Sequence, residues 1–121
     1  MTNPTPFQQG YIECALWASS DGDGTPLDSG DYELSDDARA CLMADALAFE
    51  TTHRALLDRA NDDFGRTDVY LGHDFWLTRN GHGAGFWDRG MGEVGDALTL
   101  AAQACGAYDP YVGDDGMIYV A

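Results

Sequence analysis

Apolar residues recur along this chain with two periods, three to four residues in some stretches and two in others, and each period predicts a different element. After Pro4 and Pro6, the residues Phe7, Tyr11, Cys14, Ala15 and Ala18 follow the longer period and predict a short amphipathic helix over 7–18. Ser19 to Gly30 is almost entirely turn formers, which predicts an exposed acidic loop over about 19–34. Ser35 followed by Asp36 and Asp37 is a helix start, with a hydroxyl to accept from free amides and two carboxylates at the positive end of the dipole. Ala38, Leu42, Ala46, Phe49, Leu56, Leu57 and Ala60 hold one apolar face to about residue 62, interrupted at His53, and Glu50 can pair with Arg54 one turn on. Gly65 closes this region.

From Val69 to Arg89 the pattern reads as alternating around Asn80-Gly81, a strong hairpin signal. That register sets Phe75 opposite Phe86 and Arg79 opposite His82, and it lays Trp76 over Gly85 with Trp87 on the same side. Met91 to Cys105 predicts a further helix, stopped by Gly106. Tyr108–Val112 and Met117–Val120 predict a second hairpin across Gly113-Asp-Asp-Gly116. The expected fold class is α+β, an antiparallel sheet built from two β-hairpins with about three helices packed on one face.

A chain of 121 residues has room for one core, so a single domain over 1–121 is expected. Its 45% apolar content is well above that of disordered chains. No stretch approaches the roughly 20 apolar residues of a membrane span, and the first residues lack the basic and apolar regions of a signal peptide, so the cytoplasm is the expected location. Cys14, Cys41 and Cys105 are odd in number and widely spaced, with no C-x-x-C. They suit neither a disulfide framework nor a zinc site, and three buried free thiols are expected.

Charge changes the picture most. The net charge is −15, there is no lysine, and the acids are overwhelmingly aspartate. All six arginines lie between residues 39 and 89, while residues 1–38 and 90–121 carry acids and no base. Asp21, Asp23, Asp28, Asp31, Glu33, Asp36 and Asp37 crowd one segment, and Asp109, Asp114 and Asp115 another. Within a Debye length of about 8 Å such neighbours repel, so the clustering costs stability and invites a functional reason. A GC-rich genome or adaptation to high salt also yields acidic, lysine-free chains, but a proteome-wide bias predicts less readily the segregation of the arginines. The balance opposes direct nucleic-acid binding, which needs Lys and Arg on phosphates. It favours the converse, carboxylates occupying the basic groove of a DNA-binding protein.

Signatures of chemistry are weak. His73, Asp74, His82 and Asp88 are suitable metal or acid/base groups, yet a hairpin holds the two histidines at opposite ends, and a His73–Asp88 ion pair is the simpler expectation. Gly81-His-Gly-Ala-Gly85 is neither G-x-G-x-x-G nor a phosphate loop, which needs a lysine. Ser19-x-Asp21-x-Asp23-Gly24 starts like a calcium loop but continues with Pro26 at position eight and Gly30 at position twelve, where a bidentate Glu is required. No G-x-S-x-G motif or His-rich cysteine context supports nucleophilic catalysis. A non-enzyme with no cofactor and no metal is expected.

The segment Gly72-His-Asp-Phe-Trp-Leu-Thr-Arg-Asn-Gly-His-Gly-Ala-Gly-Phe-Trp-Asp-Arg-Gly90 resembles the central block of a family of small phage-encoded proteins. Tyr11-Ile-Glu-Cys-Ala-Leu-Trp17, Leu27-Asp-Ser29 and Tyr111-Val-Gly-Asp-Asp-Gly116 look like its other blocks. The resemblance implies a viral accessory protein, which would work in the host cytoplasm, and brings no catalytic or binding residues with it. Small acidic phage proteins resemble, in size and charge, inhibitors of host defence of the anti-CRISPR or anti-restriction type. The leading expectation is such an inhibitor, a DNA mimic binding a basic surface of a host protein through the ten acids named above. The alternative is a virion-associated or other interaction module using Trp76 and Trp87 on the hairpin face, and the third reading is a small-ligand binder or enzyme using His73, Asp74, Arg79 and His82.

Overall fold

The structure is a computed structural model that describes residues 3–21, 23–29 and 32–121. Thr5 opens the first helix, α1 (Pro6–Trp17), through a reciprocal cap: its hydroxyl accepts from the Gln8 amide while the Gln8 side chain accepts from the Thr5 amide. Ser35 caps α2 (Asp36–Thr52) by accepting from the Ala38 amide at 3.1 Å. The apolar face that runs to about residue 62 suggests one long helix, but the structure has two: the chain parts at His53 and continues as α3 (Arg54–Phe64), which ends at Gly65 with φ 65°. Asp68 to Arg79 forms α4, Phe86–Asp88 a single 3-10 turn, and Gly92–Ala104 forms α5. Strands β2 (Pro110–Val112) and β3 (Met117–Val120) form the expected C-terminal hairpin.

Two expectations about the sheet fail, and with them the fold class. The chain is mostly helical, with a small three-stranded mixed sheet in place of two antiparallel hairpins. Residues 69–79 are helical, and Asn80-Gly81 is the end of that helix. The Gly81 amide donates to Thr78 O at 3.2 Å, the His82 amide to Leu77 O at 3.0 Å, and Gly81 takes φ 69°. A helix stop and a hairpin turn both need a residue that tolerates positive φ, so the same dipeptide serves either. The third strand, β1 (Glu33–Leu34), arises inside the expected acidic loop and runs parallel to β3, with Glu33 beside Met117 and Leu34 beside Ile118.

Helix α4 has a reason to be helical despite its aromatic and β-branched content. Leu71, Phe75 and Thr78 form one buried row and Gly72, Trp76 and Arg79 another, a helical period. Gly72 meets the backbone of α1 and Gly10 meets that of α4: a Cβ on Gly72 would fall 2.2 Å from Phe7 O, and one on Gly10 2.0 Å from Val69 O. The two glycines let the helix backbones touch. Around this crossing a single apolar cluster joins α1 to α5, with Phe7, Tyr11, Phe49, Phe75 and Phe86 in stacked contact. Trp76 is 1% exposed and meets Tyr11 edge-on, whereas Trp87 is 52% exposed.

The thiols also differ from expectation. Cys14 is buried, but Cys41, on α2, and Cys105, which follows the last residue of α5, are exposed. Burial, aided by the nearby Asp74 carboxylate and opposed by Arg89, pushes the Cys14 thiol up to about 12. Two thiols should therefore react rapidly with a thiol reagent in native buffer and the third only on unfolding. Three equally slow thiols would contradict this packing.

Candidate functional site

The arginines explain why charge is segregated. Arg54 meets Glu50, Asp58 and Asp68, Arg59 meets Asp63 and Glu93, and Arg79 meets Asp45. Arg66 and Arg89 share the fully buried Asp74, at 3.1 and 3.0 Å. Five of the six arginines thus fasten elements together, leaving Arg39 outside these pairs. The candidate acids have none of this compensation. Among the described residues, Asp21, Asp23, Asp28, Glu33, Asp36, Asp37, Asp109, Asp114 and Asp115 enter no ion pair. Asp31 lies outside the described residues.

Strand pairing gathers most of these acids. Because β1 runs beside β3, exposed Glu33 and the first-turn residues Asp36 and Asp37 of α2 come to the sheet that carries Asp114 and Asp115 in its β2–β3 turn. Asp37 lies close enough to Tyr119 to raise its pKa, as does the hydrogen bond from the Tyr119 hydroxyl to Asp115, which is the larger effect. Asp109 sits at the other end of the hairpin, its amide and carbonyl both bonded to Ala121. The foot of the acidic loop is here too: Ser19 and Ser20 line a cavity of about 390 Å³ together with Asp109, Pro110 and Ala121. Exposed Tyr111 and half-buried Tyr119 stack in the midst of these acids, ring centres 5.9 Å apart.

Hydrogen bonds hold two of the acids in place. The Tyr119 hydroxyl and the Met117 amide both donate to Asp115, which keeps its pKa below the usual carboxylate range. Asp21 is lowered in the same way, first by the Tyr32 hydroxyl and then by the amides of Thr25 and Asp23. Its carboxylate therefore organises the loop from within. Among the described residues, no three His, Cys, Asp or Glu side chains gather as a metal set.

The remaining candidates are rearranged by helix α4. His73 approaches Glu13, 3.8 Å away, in place of Asp88. Asp88 accepts from the Gly85 amide and caps the 3-10 turn. Gly85 packs against Thr78, whose hydroxyl accepts from the Phe86 amide at 3.0 Å. The paired tryptophan face does not exist, since Trp76 is in the core and only Trp87 is exposed. Arg79 is 9% exposed and spans Tyr11, Asp45 and the carbonyls of Cys105 and Gly106, a structural clamp.

No protein-family model, curated protein or solved structure matches the chain. Among the described residues, no helix is long and apolar enough to cross a membrane.

Proposed function

We propose that the protein acts by binding, without turnover, and that its binding face is the acidic surface around the small sheet. Its partner is a host protein with a basic nucleic-acid-binding surface, as suits a phage inhibitor of a defence complex of the anti-CRISPR or anti-restriction type. One observation carries this reading: β1–β3 pairing brings two acid groups far apart in sequence onto one sheet, while five of the six arginines are engaged elsewhere. Mutual repulsion there works against folding, which is tolerable where a cationic partner relieves it. The stacked tyrosines add flat faces on which partner arginines can rest, the side-chain chemistry typical of interface anchors.

The test compares wild type with the variant E33Q/D37N/D109N/D114N, all four positions being exposed and outside ion pairs. Thermal melting should show the variant within about 1 kcal/mol of wild type, since relief of repulsion offsets the loss of the Asp37 charge at the start of α2. Capture from bacterial lysate should yield a nucleic-acid-binding complex with wild type, released by raised salt, and none with the variant. Equal capture by the variant would rule out the acidic face.

A further inference from the structure

A cavity of about 700 Å³ on the opposite charge principle lies where α4, the end of α1 and the segment before the 3-10 turn meet. Among the described residues its lining includes Arg66, Arg89, His73 and His82 and not one acid, in a chain of net charge −15. Its volume is within the usual range for small-ligand sites. Asp74 lies beneath both arginines, fully buried, and accepts from Arg66 Nε and Nη2 and from Arg89 Nε. Two guanidiniums converge on this one buried carboxylate, and the second acid paired with Arg89 lies outside the cavity lining. The nearest other acids are Asp88, 3.5 Å from Arg89 Nε, and Glu13, 3.8 Å from His73 Nε2.

The donors are only partly used. Among the described residues, Arg66 Nη1 and both Nη atoms of Arg89 have no hydrogen-bond acceptor. They are N–H groups held in fixed orientation by a buried partner, the arrangement that recognises phosphate oxygens. Aromatic side chains flank them: Tyr70 is 55% exposed with the Arg66 guanidinium over its ring at 5.1 Å, and Trp17 is 64% exposed on the same cavity. Exposed rings beside an anion site offer stacking to a planar group. Next door, sharing Ala18 and His82 as a common wall, is the 390 Å³ cavity lined by Trp76, whose buried indole N–H has no partner among the described residues.

We infer that this cavity binds a small organic phosphate bearing a planar ring, the chemistry of a mononucleotide, with the phosphate on Arg66 and Arg89 and the ring against Trp17 and Tyr70. A polymer is disfavoured because its further phosphates would leave the cavity for a surface that repels them. The site uses none of the acids of the acidic face, which it adjoins through the 390 Å³ cavity lined by Asp109.

The test is calorimetric titration of the whole protein with adenosine monophosphate, phenyl phosphate, adenosine and a short single-stranded oligonucleotide. The two phosphate monoesters are expected to bind, adenosine to bind at least tenfold more weakly, and the oligonucleotide to gain nothing over the mononucleotide. Arg89→Gln and Trp17→Ala should each weaken adenosine monophosphate about tenfold, equivalent to 1.4 kcal/mol. If Arg89→Gln does not fold, the exposed positions Trp17 and His82 decide the matter through their alanine variants. Absence of binding by either phosphate, equal binding of adenosine, indifference to these variants, or tighter binding of the oligonucleotide would each overturn the inference.

Discussion

Replacing Gly72 with alanine is expected to destabilise the protein by about 3 kcal/mol or more, the upper end of the cost of overpacking. The added methyl would lie 2.2 Å from Phe7 O and 2.7 Å from Tyr11 N, and both neighbours are helix backbone, which cannot swing aside as a side chain would. Helices α1 and α4 would have to separate, loosening the stacking of Phe7 and Tyr11 on Phe75. Gly10→Ala should behave alike, because its methyl would meet Val69 O at 2.0 Å. In a chain of this size the melting point should drop by about 10 °C or more. Gly83→Ala is the control, since nothing lies within 4 Å of its added carbon, and it should fall within about 0.5 kcal/mol of wild type. A Gly72→Ala protein melting with the control would contradict the crossing.

The second large effect is expected at Arg79. Its Nε donates to Gly106 O at 2.8 Å, Nη2 to Cys105 O at 3.0 Å, and Nη1 to both the Tyr11 hydroxyl and Asp45. Its guanidinium also lies over Tyr108 and Phe75, at 4.7 and 5.4 Å. One side chain thus ties the end of α5 to α1, α2 and α4. Removing one partner of a buried ion pair costs about 3–5 kcal/mol, and although Asp45 is partly exposed, the buried Tyr11 hydroxyl and two helix-end carbonyls also lose their donor, so Arg79→Ala should cost about 3 kcal/mol by denaturant unfolding. Arg79→Lys should recover little, since one ammonium cannot reach carbonyls, hydroxyl and carboxylate together.

The pH dependence of that loss has a definite sign. Burial raises the pKa of Asp45 despite the opposing Arg79. A carboxyl raised on folding binds more protons in the native state, so its contribution to stability declines as pH rises from the ordinary carboxylate value through the folded one. Without Arg79 the folded value goes higher still. The deficit of Arg79→Ala should therefore be larger at about pH 7 than at about pH 4. A pH-independent deficit would mean that Asp45 and Arg79 are not coupled.

Elements marked by local chemistry were legible from the chain. Ser35 with two aspartates, the end at Gly65, the stop at Gly106 and the C-terminal hairpin each rest on a few neighbouring residues, and each appears in the structure, whereas the parting of α2 from α3 at His53 does not follow from the apolar face that runs through it. Helix α4 was misread because Val69, Tyr70, Phe75, Trp76 and Thr78 favour strands, and because its stop carries the residues of a turn. Gly72 inside the run was the available signal, since a mid-helix glycine asks for a close neighbour. Strand β1 left no trace: two residues carry no periodicity, and their partner lies at the far end of the chain. The gathering of acids was therefore visible as composition and invisible as a surface. The Arg66–Asp74–Arg89 cluster was equally hidden, because it joins a loop, a helix and a second loop.

The most direct measurement is displacement of labelled nucleic acid from the captured host complex by increasing amounts of the protein, at two salt concentrations. Stoichiometric displacement that weakens steeply as salt rises, and that E33Q/D37N/D109N/D114N cannot produce, is the expected result. A complex that keeps its nucleic acid while holding the protein would contradict occupation of the nucleic-acid site by the acidic face.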